Sequence, residues 1–143
     1  QGREGGLSIM ALTKDRNTPR RDGMQFNDPV AANAKIFAGS LVCLDASGNA
    51  VPGALSTTIA ARGIAQEQVD NTGGAAGAKR IETRRGVFQL ANSASADQIT
   101  RADIGKECFI VDDQTVAKTS ATDTRSVAGV VRDVDDGGVW VEI

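Results

Sequence analysis

Residues 38–45 read AGSLVCLD and continue into a turn, ASGN, followed by Ala50-Val51. The same order of features returns at residues 104–116, which read IGKECFIVDDQTV. Three pairs of residues are each 66 positions apart, namely Gly39 and Gly105, Gly63 and Gly129, and Asp70 and Asp136. We interpret this spacing as an internal duplication, in which two β-rich units build one domain.

The composition favours an all-β fold. The 143 residues are typical of one domain, and aromatic residues make up only 3% of the chain, so Val, Ile, Leu and Ala must form the core. β-Branched residues suit strands, and most of the 16 Gly lie between apolar runs, where turns and bulges need them. We predict a compact jelly-roll-like sandwich or barrel of about eight short strands over residues 24–143, with at most one short helix, at residues 96–102.

Two segments give more detailed predictions. Residues 127–134 and 139–143 predict a terminal hairpin around the turn DDGG. Residues 79–91 predict one strand in which Gly86 forms a bulge, because a bulge lets the alternation change phase.

Charge and hydropathy exclude two kinds of partner. The formal net charge of −2 gives no basic footprint for nucleic acid. No apolar run approaches the roughly 20 residues of a membrane-spanning helix, and no signal-peptide pattern is present, so we expect cytosolic synthesis. Cys43 and Cys108 lie in apolar strand patterns and are predicted to be buried free thiols rather than a disulfide.

The motifs do not predict an enzyme. The chain has no His and no Tyr, which removes the commonest general base and the usual partner of a catalytic Ser or Cys. Residues 73–80 (GGAAGAKR) have Ala78 and Arg80 where a phosphate-binding loop needs Gly and Ser or Thr. The Asp-rich residues 133–136 end at Gly137, where a calcium loop would place its third ligand. We predict no catalytic residue, no metal and no cofactor.

Residues 1–23 are predicted to form a flexible N-terminal arm. Residues 1–9, before Met10, are either vector-derived or an upstream extension. Residues 13–23 are polar and contain Pro19, which cannot donate to a strand ladder. Two interpretations of the arm stay open: a solvated, mobile segment, or an extended segment that binds a neighbouring subunit. The candidate partner-contact residues combine cations of the arm, an arginine pair and the single Trp, namely Lys14, Arg16, Arg20, Arg21, Arg84, Arg85 and Trp140.

Several segments together resemble the small cement, or capsid-decoration, proteins of tailed bacteriophages. They are IFAGSLVCLD at residues 36–45, ARGIA at 61–65, RRGVFQL at 84–90, the run from ADIGK to TV at 102–116, and the run from AGVV to GVWVEI at 128–143. The resemblance covers residues 26–143. It implies a β-barrel or jelly-roll-like domain that binds the outside of an icosahedral head built from a major capsid protein of HK97-like fold.

On this interpretation the protein is a structural virion protein. It is made in the host cytoplasm and cements neighbouring capsid subunits, on the outer surface of the capsid, against the pressure of packaged DNA. We expect a homodimer, with a trimer as the alternative, because closed two-fold dimers are the commonest assemblies. The alternative function is a jelly-roll module that binds carbohydrate, which would need exposed aromatic residues that this chain mostly lacks.

Overall fold

The computed structural model describes residues 10–143, so the predictions made for residues 1–9 lie outside the described residues. The strands, in chain order, are β1 (Gln25–Pro29), β2 (Lys35–Ile36), β3 (Leu41–Leu44), β4 (Ala50–Pro52), β5 (Ala60–Ala65), β6 (Val69–Asp70), β7 (Arg80–Arg84), β8 (Val87–Asn92), β9 (Glu107–Ile110), β10 (Thr115–Ala117), β11 (Val127–Asp135) and β12 (Gly138–Glu142). The predicted all-β class is confirmed. The described residues form twelve strands rather than about eight, because several strands have only two or three residues.

The structure agrees with the prediction of at most one short helix, but residues 96–102 do not form a continuous one: two separate 3₁₀ turns, Ser95–Asp97 and Arg101–Asp103, occupy this region. Ile99 lies between the turns and is buried in the core. The side-chain amide of Asn92 binds the backbone N–H of Ile99 at 2.9 Å and its carbonyl oxygen at 2.8 Å. These two bonds occupy the backbone N–H and carbonyl oxygen of Ile99, which a continuous helix would need for its own hydrogen bonds.

Two five-stranded units make up most of the fold. The first unit has the strand order β1-β7-β5-β3-β4, and the second is a closed barrel of order β8-β12-β11-β9-β10, in which β10 returns to β8. Strands β2 and β6 form a small two-stranded sheet. A jelly roll is built from two Greek keys of four strands each. Each unit of this fold has five strands and therefore one more than a Greek key.

The strand registers confirm the internal duplication. In the first unit Leu41 pairs with Ile64, Val42 with Gly63, and Cys43 with Ala61, so the ladder skips Arg62. Adding 66 to each number gives the pairs of the second unit, which skip Ala128 in the same way. The β3–β4 and β9–β10 hairpins obey the same rule. A repeat of register and bulge, and not only of residue type, is what a structural duplication requires.

The remaining strands and the closure of each unit also correspond. Phe26 of β1 lies opposite Thr83 of β7, and Phe88 of β8 lies opposite Val141 of β12. β10 closes the second barrel through parallel pairs to β8, one of which joins Val116 to Asn92. The first unit has one parallel bridge at the equivalent place, between the buried residues Val30 and Ala50.

The two units share apolar packing. The interior of the first unit is formed by Val30, Ile36, Val42, Ala50, Ala65, Val69 and Ile81. A larger cluster combines Leu41, Cys43 and Ile64 of the first unit with the apolar interior of the second. Alternation along β3 thus sends Val42 into its own unit and its neighbours, Leu41 and Cys43, into the junction between units.

Residues 79–91 do not form one strand, so the prediction of a bulge at Gly86 is wrong. β7 ends at Arg84 in the first unit, and β8 begins at Val87 in the second. Gly86 lies between them with φ of 151°, a conformation that favours Gly over residues with a side chain. Gly86 forms the crossover between the two units. The alternation of apolar and polar residues continues on both sides of it because both flanking segments are strands. The predicted terminal hairpin is confirmed as β11 and β12.

Gly63 and Gly129, which follow the skipped residues, are predicted to be intolerant of a side chain. A Cβ at Gly63 would lie 2.7 Å from the backbone oxygen of Arg84, and a Cβ at Gly129 would collide with the backbone oxygen of Glu142. We expect Gly129→Ala to lower the free energy of unfolding by about 2 kcal/mol, because backbone cannot yield as a side chain does. Urea unfolding followed by circular dichroism measures this change.

Gly23→Ala is the matched control for that experiment. A Cβ at Gly23 meets no atom within 4 Å, so its stability should stay within about 0.5 kcal/mol of the wild type. Equal stability of the Gly129→Ala and Gly23→Ala variants would contradict the close approach of β11 to β12.

Candidate functional site

The predicted contact residues do not form one site. Lys14, Arg16 and Arg20 are exposed on the arm, which has no strand in its described part, residues 10–23. Arg84 is exposed at the end of β7, where it lies opposite Gln25 of β1. Arg21 differs from the other predicted residues in that it lines the cleft described below.

Arg85 has a structural role at the crossover. Its backbone N–H donates to the carbonyl oxygen of Met24 at 2.8 Å, and its Nε donates to the carbonyl oxygen of Ile143 at 3.2 Å. The N–H of Ile143 donates to the carbonyl oxygen of Gly86 at 2.9 Å. The root of the arm, the crossover between units and the end of the chain therefore meet at one place.

Trp140 is half-buried and fixed by its own hairpin. Its Nε1 donates to Oδ2 of Asp135 at 2.8 Å, while the other carboxylate oxygen accepts from Gly137 N at 2.9 Å and from Gln89 Nε2 at 3.3 Å. The bond from Trp140, followed by that from the Gly137 backbone, lowers the pKa of Asp135 below its usual value. The indole is thus held within the second unit by its own hairpin.

A cleft of about 560 Å³ opens beside β1. Its lining residues come from the arm, β1, β5 and β7 and are Arg21, Gln25, Phe26, Asn27, Asp28, Arg62, Arg80 and Glu82. Three arginines against two carboxylates leave this first-unit cleft with a formal net charge of +1.

An arginine–aspartate pair forms the floor of the cleft. Nε of Arg62 lies 2.8 Å from Oδ2 of Asp28, and Nη2 lies 3.0 Å from Oδ1, so the pair is bidentate. The guanidinium carbon of Arg62 lies 3.6 Å from the ring centroid of Phe26, in cation–π contact. The side chain of Asp28 is only 12% exposed and that of Arg62 is 28% exposed, so neither group is free to move into solvent.

Local sequence explains how these side chains meet. Asp28 lies opposite Ile81, a residue of the first-unit interior, and the alternation of β1 gives it the same face as Val30. Arg62 is the extra residue that the β3–β5 ladder skips. Bulges of this kind redirect one side chain out of the normal alternation, and here the redirected side chain reaches Asp28.

The other two arginines of the cleft have no carboxylate partner within the described residues. Arg80 donates from Nε to Oδ1 of Asn27 at 2.6 Å and from Nη2 to the Asn27 carbonyl oxygen at 2.8 Å. The five ion pairs of the described chain include neither Arg80 nor Arg21. The side-chain carboxylate of Glu82 accepts one long bond of 3.4 Å, from Nε2 of Gln25. Arg21 and Arg80 therefore lack an ion-pair partner in the described residues, and with Glu82 in the same lining they leave the cleft its net charge of +1.

The second unit is apolar at the equivalent positions. The register places Leu90 where the first unit has Asp28, and Ala128 where it has Arg62, and both Leu90 and Ala128 are buried. Val141 likewise stands where the first unit has Thr83, whose buried Oγ1 has no hydrogen-bond partner in the described structure. The duplication thus gives one polar and one apolar version of the same interior.

Asp28 and Arg62 were not among the site residues predicted from the sequence. Part of the signal was present, because ARGIA at 61–65 and VAGVV at 127–131 differ at the position that becomes the bulge. The partner could not be found in the same way, since β1 and β8 are offset by 62 residues instead of 66.

The predicted buried free thiols are confirmed. Cys43 and Cys108 are both free and fully buried. Burial raises the pKa of each thiol to about 12, so neither supplies a thiolate near neutral pH.

Within residues 10–143 the structure brings together no group of three or more His, Cys, Asp or Glu side chains that could hold a metal ion. The same residues include no helix of the length and apolarity needed to cross a membrane. Comparison of the chain with protein-family models, with curated proteins and with solved structures finds no match.

Cys43 and Cys108 should not react with Ellman's reagent in the folded protein at pH 8, because both are buried and protonated. Both should react once urea unfolds the chain. Ser47→Cys, at an exposed turn position, provides the positive control for reagent access. Rapid reaction of the folded wild type would contradict the burial of these thiols.

Removing one member of the Arg62–Asp28 pair should destabilise the protein, whereas replacing both with the residues of the second unit should not. We expect Arg62→Ala to cost about 2–4 kcal/mol, because it leaves the nearly buried Asp28 carboxylate without its partner. The double variant Asp28→Leu/Arg62→Ala should stay within about 1 kcal/mol of the wild type. Chemical denaturation of the three proteins tests both statements, and equal losses for the single and double variants would disprove the second.

Proposed function

We propose that this protein is a structural virion protein that binds the outer surface of a phage head and cements neighbouring major capsid subunits. The observation that carries the proposal is the arm. All of its described residues, 10–23, are exposed, and the large side chains of Met10 and Leu12 are 75% and 70% exposed. Its side chains make only a local bond from Arg16 to Thr18 and a turn bond from Met24 N to Asp22.

An exposed segment of this kind suits binding to another protein. Its backbone donors and acceptors are not used by a ladder, so an exposed strand of a partner could pair with them. Its cations, Lys14, Arg16 and Arg20, could contact acidic side chains beyond the reach of the two five-stranded units. The apolar side chains at its start would lose water on binding.

The body of the molecule suits a mechanical role. Two five-stranded units share an apolar cluster, and the second unit is closed, so few strand edges remain free. A rigid body that contacts two capsid subunits adds interface that must break before the shell can open. Repetition over a symmetric shell increases the effect of modest individual contacts.

The partners follow from this role and from the resemblance of residues 26–143 to capsid-decoration proteins. They are a major capsid protein of HK97-like fold and a second copy of this chain in a homodimer, with a trimer as the alternative. The protein acts on the outside of the virion after synthesis in the host cytoplasm, and it does not act as an enzyme. A carbohydrate-binding role has less support, because the side chains of Trp140 and Phe26 are engaged by Asp135 and Arg62.

Deleting residues 13–23 should impair capsid binding but leave folding intact. The segment buries almost no surface within the chain, so stability should change by less than about 1 kcal/mol. Occupancy on undecorated heads should fall, and wild-type occupancy should decrease as salt rises, because exposed charge contacts are screened. Melting curves and quantitative gels of sedimented heads measure the two effects.

Two charge variants separate the arm from general electrostatics. Lys14→Gln/Arg16→Gln/Arg20→Gln removes three cations of the arm, and Arg101→Gln/Lys106→Gln/Arg132→Gln removes three exposed cations of the second unit. Only the arm variant should lose occupancy. Unchanged occupancy of the deletion variant would show that the arm does not hold the shell, and absence of wild-type binding to heads would reject the function.

A further inference from the structure

We propose that the first-unit cleft is a binding site for an acidic side chain, Asp or Glu, of a protein partner. The inference rests on the proposed function in one respect only: that function makes the partner a capsid subunit.

The cleft holds guanidinium donors in fixed positions. Arg62 uses Nε and Nη2 for Asp28, and one face of its guanidinium rests on Phe26. Arg80 is held by two bonds to Asn27. In both residues Nη1 has no partner in the described structure. Positioned guanidinium groups bind carboxylates with directional, charge-assisted hydrogen bonds and lose little side-chain entropy in doing so.

The second unit shows that the fold does not need this polar floor. Leu90 and Ala128 fill the equivalent positions with apolar groups, and replacing a buried ion pair by apolar residues is commonly neutral or stabilising. The first unit instead keeps Asp28 and Arg62, together with the unsatisfied hydroxyl of Thr83. A less favourable interior in one of two equivalent units, next to a cleft, indicates a binding role for that unit.

The charges of the lining select the ligand class. Asp28 and Glu82 would repel phosphate or nucleic acid, which bring more than one negative charge to the site, whereas the net charge of +1 matches a single carboxylate. A sugar would need a free aromatic face, and Arg62 covers the ring of Phe26. The volume of about 560 Å³ admits a side chain with its neighbouring backbone.

Position links the cleft to the arm. Arg21 belongs to the last residues of the arm and also lines the cleft, so a partner bound along the arm would reach the cleft next. Arm and cleft form one continuous surface, and an acidic residue of the partner at that point would meet Arg21 and Arg80 together.

The test uses the whole protein and short defined probes. The probes are an acetyl-Ala-Glu-Ala-amide peptide with one carboxylate, its acetyl-Ala-Gln-Ala-amide analogue, inorganic phosphate and maltotriose, with arginine Nε–H NMR signals as the readout. The acidic peptide should move the signals of Arg62 and Arg80 in a saturable way, and the amide analogue should not. Arg80→Gln should weaken binding about tenfold, and so should Asp28→Leu/Arg62→Ala, because each removes charge-assisted bonds.

Arg101→Gln is the matched control, since Arg101 is an exposed arginine of the second unit paired with Asp133. It should bind the acidic peptide as the wild type does. Equal or tighter binding of phosphate or maltotriose would overturn the assignment of ligand class. Lack of cleft signals with the acidic peptide, or unchanged affinity of both cleft variants, would overturn the site.

Undecorated heads distinguish failure of the site from failure of the function. If wild-type protein binds heads and Arg80→Gln binds them equally well, the cleft proposal fails and the cementing role stands. If the acidic peptide binds the cleft but wild-type protein does not bind heads, the cementing role fails and the cleft remains a site for an acidic partner.

Discussion

One extra residue in the central ladder of each unit determines most of this architecture. The insertion bends its strand and increases the local twist, which a five-stranded sheet needs if it is to close on itself. Gly63 and Gly129 follow the insertions and allow backbone to approach backbone without a side chain between them. The inserted residue is redirected out of the normal alternation, and its identity then decides the character of the interior. Ala128 leaves the second barrel apolar, whereas Arg62 requires an acidic partner and finds Asp28.

Much of the fold could be predicted because it depends on local patterns. The alternation of Val139, Val141 and Ile143 gave the terminal hairpin, and the 66-residue spacing of Gly39 and Gly105 gave the duplication, since both glycines adopt positive φ before equivalent strands. No α-helix forms at residues 96–102, because the side chain of Asn92 binds the backbone of Ile99, seven residues later, and helical periodicity does not reveal such a side-chain bond. The prediction of a single strand at residues 79–91 was wrong because two strands of different sheets can continue one alternating pattern.

The candidate site was harder to predict than the fold. A charged residue within ARGIA is compatible with an exposed strand face, and only the register shows that Arg62 is the skipped residue. Its partner Asp28 is 34 positions away on a strand that reads as a turn signal, because Asn27, Asp28 and Pro29 are all common in turns. The sequence prediction gave Arg84 and Arg85 the same role, contact with a partner, because they are neighbours in the chain. Both side chains are exposed, but that of Arg85 donates to the carbonyl oxygen of Ile143, whereas that of Arg84 makes no hydrogen bond in the described structure.

The meeting of Met24, Arg85, Gly86 and Ile143 has a practical consequence for engineering. Backbone atoms from the start, middle and end of the folded body lie within hydrogen-bonding distance at this place, so the chain can be reconnected there with short linkers. A circular permutant that joins Ile143 to Met24 and opens at Gly86 would exchange the order of the two units while keeping every strand pairing. A cargo fused after Ile143, by contrast, would emerge at the root of the arm and obstruct the surface that the arm presents.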